Sequence, residues 1–179
     1  ALSYAALMRS ELQGAKELEK LKIDFARLFA GPYSLLAPPY GSVYLEGERQ
    51  IMGDSTLDVQ NRYRKEGVEL SDSFRDVPDH IAAELEFMYF LVFKEIQALE
   101  NSDVDTTIDY FEKQRAFLSE HLGAWVFEFA DSIEKEAETE FYKNLARLTK
   151  AFVRQDLDYL SDLPLLGAYD APGLSVANS

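Results

Sequence analysis

The chain has 179 residues, 47% of them hydrophobic, which is enough for one domain with a sizeable core. Its 18 Lys and Arg face 32 Asp and Glu, a net charge of −14, which argues against nucleic acid as a partner and suits a basic peptide or a basic protein patch. Cysteine is absent, which excludes disulfides and thiolate metal sites, and no apolar run reaches the ~18 residues that a membrane span needs.

Residues 1–29 read as a helix. Leu18, Leu21, Phe25 and Leu28 recur at steps of three and four, and Phe29 widens that stripe before Gly31-Pro32 ends it. Residues 30–53 read as irregular, because Pro32, Pro38 and Pro39 remove donors and Gly31, Gly41, Gly47 and Gly53 allow turns. The same segment carries Tyr33, Leu35, Leu36, Tyr40, Val43, Tyr44 and Leu45. A long loop with so much apolar surface is expected to pack on the body and to be functional. A second helix opens at Asp54-Ser55-Thr56, any of which can cap it. It presents Leu57, Val59 and Tyr63 and ends at Gly67.

The stretch from Asp76 to Leu99 reads as one long helix with Pro78 in its first turn and Asp76 or Asp79 at its positive end. Ile81, Leu85, Tyr89, Val92, Ile96 and Leu99 form one face, and Phe87 to Phe93 has no charge at all. A helix apolar on every side is expected to be buried, with Tyr89, Phe90 and Phe93 in the core. Asn101 to Asp105 breaks and recaps the chain. Helices are then expected over 106–122 (Ile108, Phe111, Phe117, Leu118 and Leu122 inward, Gly123 ending it), 124–136 (Trp125, Phe129 and Ile133 inward) and 138–160 (Phe141, Leu145, Leu148, Phe152 and Leu157 inward). No stretch alternates as a strand does. The fold class is therefore all-α: a single-domain helical bundle over residues 1–160 around one long buried helix, about residues 77–99. Residues 161–179, with Pro164 and Pro172, should leave the bundle as an extended tail.

Candidate chemistry is sparse. His80 and Glu84 stand four apart with Asp79 adjacent, which is half a metal site, and His121 lies beside a helix end. No GxSxG, HExxH or phosphate-binding glycine loop is present, so no metal, cofactor or enzymatic activity is expected. The alternative is a small helical enzyme, metal- or acid/base-dependent, using His80 and nearby carboxylates. The acidic run Glu134, Glu136, Glu138 and Glu140 reads as a solvated helix face.

Four motifs in order carry a resemblance. They are Asp24-Phe25 with Arg27-Leu28-Phe29 and Gly31-Pro32, then Pro38-Pro39-Tyr40-Gly41-Ser42, then Gly53-Asp54-Ser55-Thr56, and then the pair Asp79-His80 before an apolar helix. With Glu140 to Thr149 (EFYKNLARLT), they resemble the TorD/DmsD family of molybdoenzyme maturation chaperones over about residues 18–160. The resemblance implies a cytoplasmic, non-enzymatic, all-helical chaperone. Its partners would be the twin-arginine leader peptide and the precursor of a molybdopterin oxidoreductase. It would aid cofactor insertion and prevent premature export. The family's leader-binding positions carry over to Phe25, Leu28, Phe29, Tyr33, Tyr40, Ser42, Asp79 and His80. Tyr33 and Tyr40 stand where the DmsD branch tends to have tryptophan, and no nucleotide motif is visible. Physically, two arginines need carboxylates, for which Asp79 is the candidate, and an apolar stretch needs an aromatic groove. The helix end at Phe25–Phe29 and the loop Tyr33–Tyr44 are candidates for the aromatic part, and this region and Asp79, distant in sequence, are expected to form one groove. A homodimer by helix exchange is a further expectation, as is docking of the apolar tail in a neighbour's groove.

Overall fold

A computed structural model describes residues 15–31, 34–46 and 51–162, with residues 4 and 8 in isolation. Among these residues the fold is all-α. Helix α1 spans Ala15–Phe25 and continues as a π-helical turn over Ala26–Ala30. A short helix, α2 (Gly41–Leu45), lies inside the segment expected to be irregular throughout. Then come α3 (Asp54–Lys65), α4 (Ile81–Glu100) and α5 (Val104–Phe117), a second π-helical turn over Leu118–Leu122, α6 (Gly123–Glu136) and α7 (Glu140–Asp162). Helix α4 packs chiefly on α5, and α6 on α7, while α2 rests on α3 and α6. Leu28, Val59, Leu91, Phe117, Leu118, Leu122, Trp125, Val126 and Val153 are almost wholly buried and form the centre. Tyr33 and residues 163–179 lie outside the described residues.

The helix ends show which groups do the capping. Asp103 accepts from Thr106 N–H and starts α5, as the NSDVD break suggests. At α3 the cap comes from elsewhere. Gly53 occupies the cap position, and the Glu46 carboxylate takes both the Ser55 N–H (2.8 Å) and its hydroxyl (2.6 Å). Gly67, with φ +72°, ends that helix in the left-handed region where glycine is at ease. The connection into α7 is held by a long-range contact. Asp24 is buried in α1, and its carboxylate accepts from Glu138 N–H, Thr139 N–H (2.8 Å) and the Thr139 hydroxyl (2.7 Å). This explains the Asp in the Asp24-Phe25 motif: it ties the first helix to the last.

Several expectations are corrected. Helix α4 begins at Ile81, so Pro78 and Asp79 precede it, and His80 is its cap, accepting from Ala82 N–H. Its buried face is Ala83, Glu84, Phe87, Met88, Leu91 and Ala98. Tyr89 is 71% exposed, and Phe93, Ile96 and Leu99 are also exposed. The charge-free run offers two apolar stripes at helical spacing, so period alone does not choose between them; packing on α5 does. Leu18, Phe25, Leu57 and Phe152 are likewise exposed. Gly123 does not terminate a helix. It opens α6 with ordinary right-handed angles, and a Cβ there would lie 2.4 Å from the Leu118 carbonyl oxygen. Its role is a close approach where the π turn passes into α6. Helix α7 continues through Asp162, past the expected boundary at 160.

Candidate functional site

The segment Ala37–Ser42 is latched onto the entrance of α4. Gly41 N–H donates to the Asp79 carbonyl (2.9 Å), and Ile81 N–H donates to the Pro39 carbonyl (2.9 Å). Together they form an isolated antiparallel bridge between Tyr40 and His80. The Asp79 carboxylate then accepts from Ser42 N–H at 2.7 Å, serving the first turn of α2. On the other side, Ala37 N–H donates to the Leu28 carbonyl (3.0 Å), which ties the same segment to the end of α1. The prolines fit this arrangement: Pro38 and Pro39 offer no N–H, and the loop's bonds use the carbonyl of Pro39 and the N–H groups around the pair.

Three aromatic rings cluster at the latch. The Tyr40 and His80 rings meet edge-on at 5.5 Å, and Phe74 meets His80 edge-on at 5.8 Å. Both Tyr40 and His80 are half-buried. Burial is the main reason that the Tyr40 hydroxyl is pushed up to about 12, with help from a hydrogen bond to Asp76 and the nearby charge of Asp79. His80 is held below its ordinary value, mainly by burial, against the pull of Asp76 and Asp79. Its Nδ1 accepts from Ala82 N–H, so the neutral ring carries its proton on Nε2, which lies 3.9 Å from an Asp76 carboxylate oxygen. Asp76 is the exposed carboxylate of this surface.

Beneath the rings lies a buried acid. Glu84 is fully buried, and its carboxyl accepts from Trp125 Nε1–H at 2.9 Å. Burial, with a contribution from Asp79, pushes Glu84 up to about 8 even though Trp125 opposes the shift, so near pH 7 it is held protonated. Gly41 passes directly over this pair. A Cβ there would sit 3.0 Å from Trp125 Nε1 and 3.2 Å from Glu84 Oε1, so the motif's glycine is a close-approach residue. Asp79 Oδ1, Glu84 Oε1 and Ser42 Oγ are buried here without a hydrogen-bond partner among the described residues.

The residues expected at the site therefore divide. Tyr40, Ser42, Asp79 and His80 are brought together. Ser42, Asp79 and Leu28 are wholly buried, so they hold the walls of the site and offer no surface in this conformation. Phe25 and Phe29 sit apart. Phe25 is exposed and meets Phe29 edge-on, and a chain of ring contacts runs from Phe29 through Phe129 to Tyr44 and Trp125. The His80–Glu84 pair does not converge: Glu84 points inward to Trp125 while His80 stays at the surface. His121 is not a solvated helix-end cation. It is buried in the second π turn, with Nε2 2.7 Å from the Asp58 carboxylate. Its donors, with those of Asp58 and Glu120, gather within 4.8 Å, but the Arg62 guanidinium already bridges the two carboxylates. The acidic run is paired too: Glu134 with Arg147 and Lys150, Glu138 with Arg27, and Glu140 with Lys143. Sequence reasoning missed Trp125 as the partner of Glu84, and gave Asp76 only a capping role.

Comparison with known proteins places this architecture. The family model described as nitrate reductase delta subunit matches residues 2–131. The chain belongs to this family, in its TorD/DmsD group. It is 28% identical over 156 residues to "Chaperone protein TorD" of Vibrio parahaemolyticus, covering 87% of the chain and 70% of that protein. It is 31% identical over 137 residues to "Tat proofreading chaperone DmsD" of Salmonella typhimurium, covering 76% of the chain and 60% of that protein. A solved structure from Archaeoglobus fulgidus, described as a candidate redox enzyme maturation protein, aligns with a TM-score of 0.49 at 24% identity, over 81% of this chain and 72% of the other. The TorD/DmsD group consists of chaperones and not enzymes. Among the described residues no helix is long and apolar enough to cross a membrane.

Proposed function

We propose that this chain is a system-specific chaperone that acts in the cytoplasm on the precursor of a molybdopterin-containing oxidoreductase, and that it binds the precursor's twin-arginine leader at the latch surface. The observation that carries this reading is the bridge between Tyr40 and His80, which presents two half-buried rings beside the accessible carboxylate of Asp76. A guanidinium group seeks a carboxylate it can meet in two hydrogen bonds, and it stacks on aromatic faces. Asp76 with Tyr40 and His80 supplies both. Asp79, with no exposed surface and one oxygen committed to Ser42 N–H, orients the latch instead. The net charge of −14 draws a cationic leader towards any face, and the latch gives it a specific seat.

The test is calorimetric titration of the full chain with a synthetic leader peptide, beside the same peptide with both arginines replaced by alanine. Selective binding of the arginine form is expected. Asp76→Ala should weaken it by about tenfold, the scale of one charge-assisted hydrogen bond or a little more. Equal binding of both peptides would overturn the leader reading.

A further inference from the structure

A cavity of about 260 Å³ lies between the end of α3, the 68–74 connection and the first turns of α4. Its walls are Tyr63, Leu70, Phe74, Ala83, Phe87 and Phe90, and two carboxylates, Glu69 and Glu86, stand in its lining. Drug-sized ligands need roughly 300 Å³ or more, so this volume is that of a side chain or two. The floor is rigid: the Tyr63 hydroxyl donates to the Pro78 carbonyl at 2.9 Å, and the Tyr63 and Phe87 rings lie 4.6 Å apart.

Both ends of the cavity lead somewhere. At one end Phe74, a wall residue, touches the His80 ring, so the cavity adjoins the latch surface. At the other, Glu86, Phe90 and Phe93 follow one another at i, i+4 and i+7 on α4. Phe93 is exposed and stacks with exposed Tyr89, and exposed Ile96 and Leu99 extend the same apolar strip along the helix. This is the geometry by which a groove holds an apolar segment through one deep anchor and a shallower ridge.

We propose that the cavity between α3 and α4 anchors an apolar side chain of the leader's apolar stretch, which runs on along Phe93 and Ile96, while Glu69 and Glu86 meet cationic groups of the leader. This rests on the leader-binding reading above and shifts the apolar half of the seat away from Phe25 and Phe29. The charges select the occupant. Glu69 and Glu86 are exposed and form no ion pair among the described residues; Arg64, which shares the adjoining cleft with Glu69, does not pair with it. A basic and apolar peptide satisfies both the acids and the rings. A second copy of this chain carries the same −14, and an anionic lipid surface is equally repelled.

The experiment uses the full chain and a fluorescent synthetic peptide with two adjacent arginines followed by a leucine-rich stretch. Ser71→Trp places a large ring at the cavity mouth from an exposed position, and Glu69→Lys/Glu86→Lys reverses its acids. Glu128→Lys/Asp158→Lys makes the same change in net charge at exposed sites outside this groove. Circular dichroism confirms that each variant keeps its helix content. The first two should each weaken binding by about tenfold or more, and the charge control by no more than about twofold. Unchanged affinity in Ser71→Trp overturns the cavity assignment while leaving leader binding in place. Equal losses in the acid reversal and the charge control also overturn it, because the overall field then accounts for the effect. Failure of the unaltered chain to bind overturns the leader reading itself, and the anchor with it.

Discussion

Replacing Glu84 by glutamine should change how stability depends on pH, and by a predictable amount. The folded carboxyl is pushed up to about 8 by burial, whereas an unfolded glutamate sits near 4.5. Between those values the folded chain holds a proton that the unfolded chain has lost. Stability therefore falls as pH rises through this window, by about 1.4 kcal/mol per pH unit. From about pH 5.5 to about pH 7.5 the loss from this one group is of the order of 2–3 kcal/mol. Glutamine cannot ionise, and it keeps an oxygen to accept from Trp125 Nε1–H. His80 and His121, both held below their ordinary values, contribute stability that falls as pH drops through their unfolded value, but equally in both proteins. The difference between the two proteins thus isolates Glu84. Urea unfolding followed by circular dichroism at several pH values gives that difference. Glu84→Gln should gain on the wild type steadily as pH rises, by roughly 2–3 kcal/mol over the range. Parallel pH profiles would show that Glu84 is already ionised in the fold and would refute the buried neutral acid.

Two further substitutions probe the frame that holds the site. Asp24→Ala removes the buried acceptor of Glu138 N–H and of both Thr139 donors, so it should cost about 2 kcal/mol in urea unfolding, the scale of hydrogen bonds to a charged group; a loss under about 0.5 kcal/mol would deny that this contact ties the first helix to the last. Gly123→Ala forces a methyl to within 2.4 Å of the Leu118 carbonyl and against Leu157, and should lower stability by about 1–3 kcal/mol, whereas an unaltered melting temperature would mean that the π turn yields freely.

What was legible in the sequence follows from the physics of each signal. The helices over α5, α6 and α7 were legible because apolar residues recur on one side, with a local cap at α5; Asp103, Trp125, Phe129 and Ile133 behave as read. The face of α4 was not legible, since FMYFLVF is apolar all round and only its neighbours decide which stripe turns inward. Gly123 misled for a related reason. A glycine between two helices signals either a left-handed cap or a close approach, and the sequence does not distinguish them. At the site, the Pro-Pro-Tyr-Gly-Ser run and the Asp-His pair were legible as motifs, and they meet across the Tyr40–His80 bridge. Their division of labour was not. Asp79 and Ser42 are partners of each other and are hidden, whereas Asp76, a common acid in a polar connection, keeps the exposed carboxylate. Long-range pairings such as Glu84 with Trp125 leave no local pattern at all.

The distribution of charge narrows what the acidic excess does. Arg62, Lys113, Arg147 and Lys150 are each engaged by two carboxylates, and Arg27 by Asp24 and Glu138. Surface pairs of this kind add little stability, but they neutralise acids locally. The acids along the approach to the latch are among those left unpaired. Glu69 and Glu86 have no cation within ion-pair distance among the described residues, and Asp76 has only His80, which burial keeps largely neutral. Other acids are unpaired too, but on this face they stand beside the apolar surface of Phe74, Phe90 and Phe93. A cation alone would find acids in many places on a chain of net charge −14, and an apolar segment alone would find exposed rings on α1 and α7 as well. A ligand that carries both, in adjacent stretches, meets rim acids, half-buried rings and a side-chain-sized cavity together along the line from Tyr40 to Phe93.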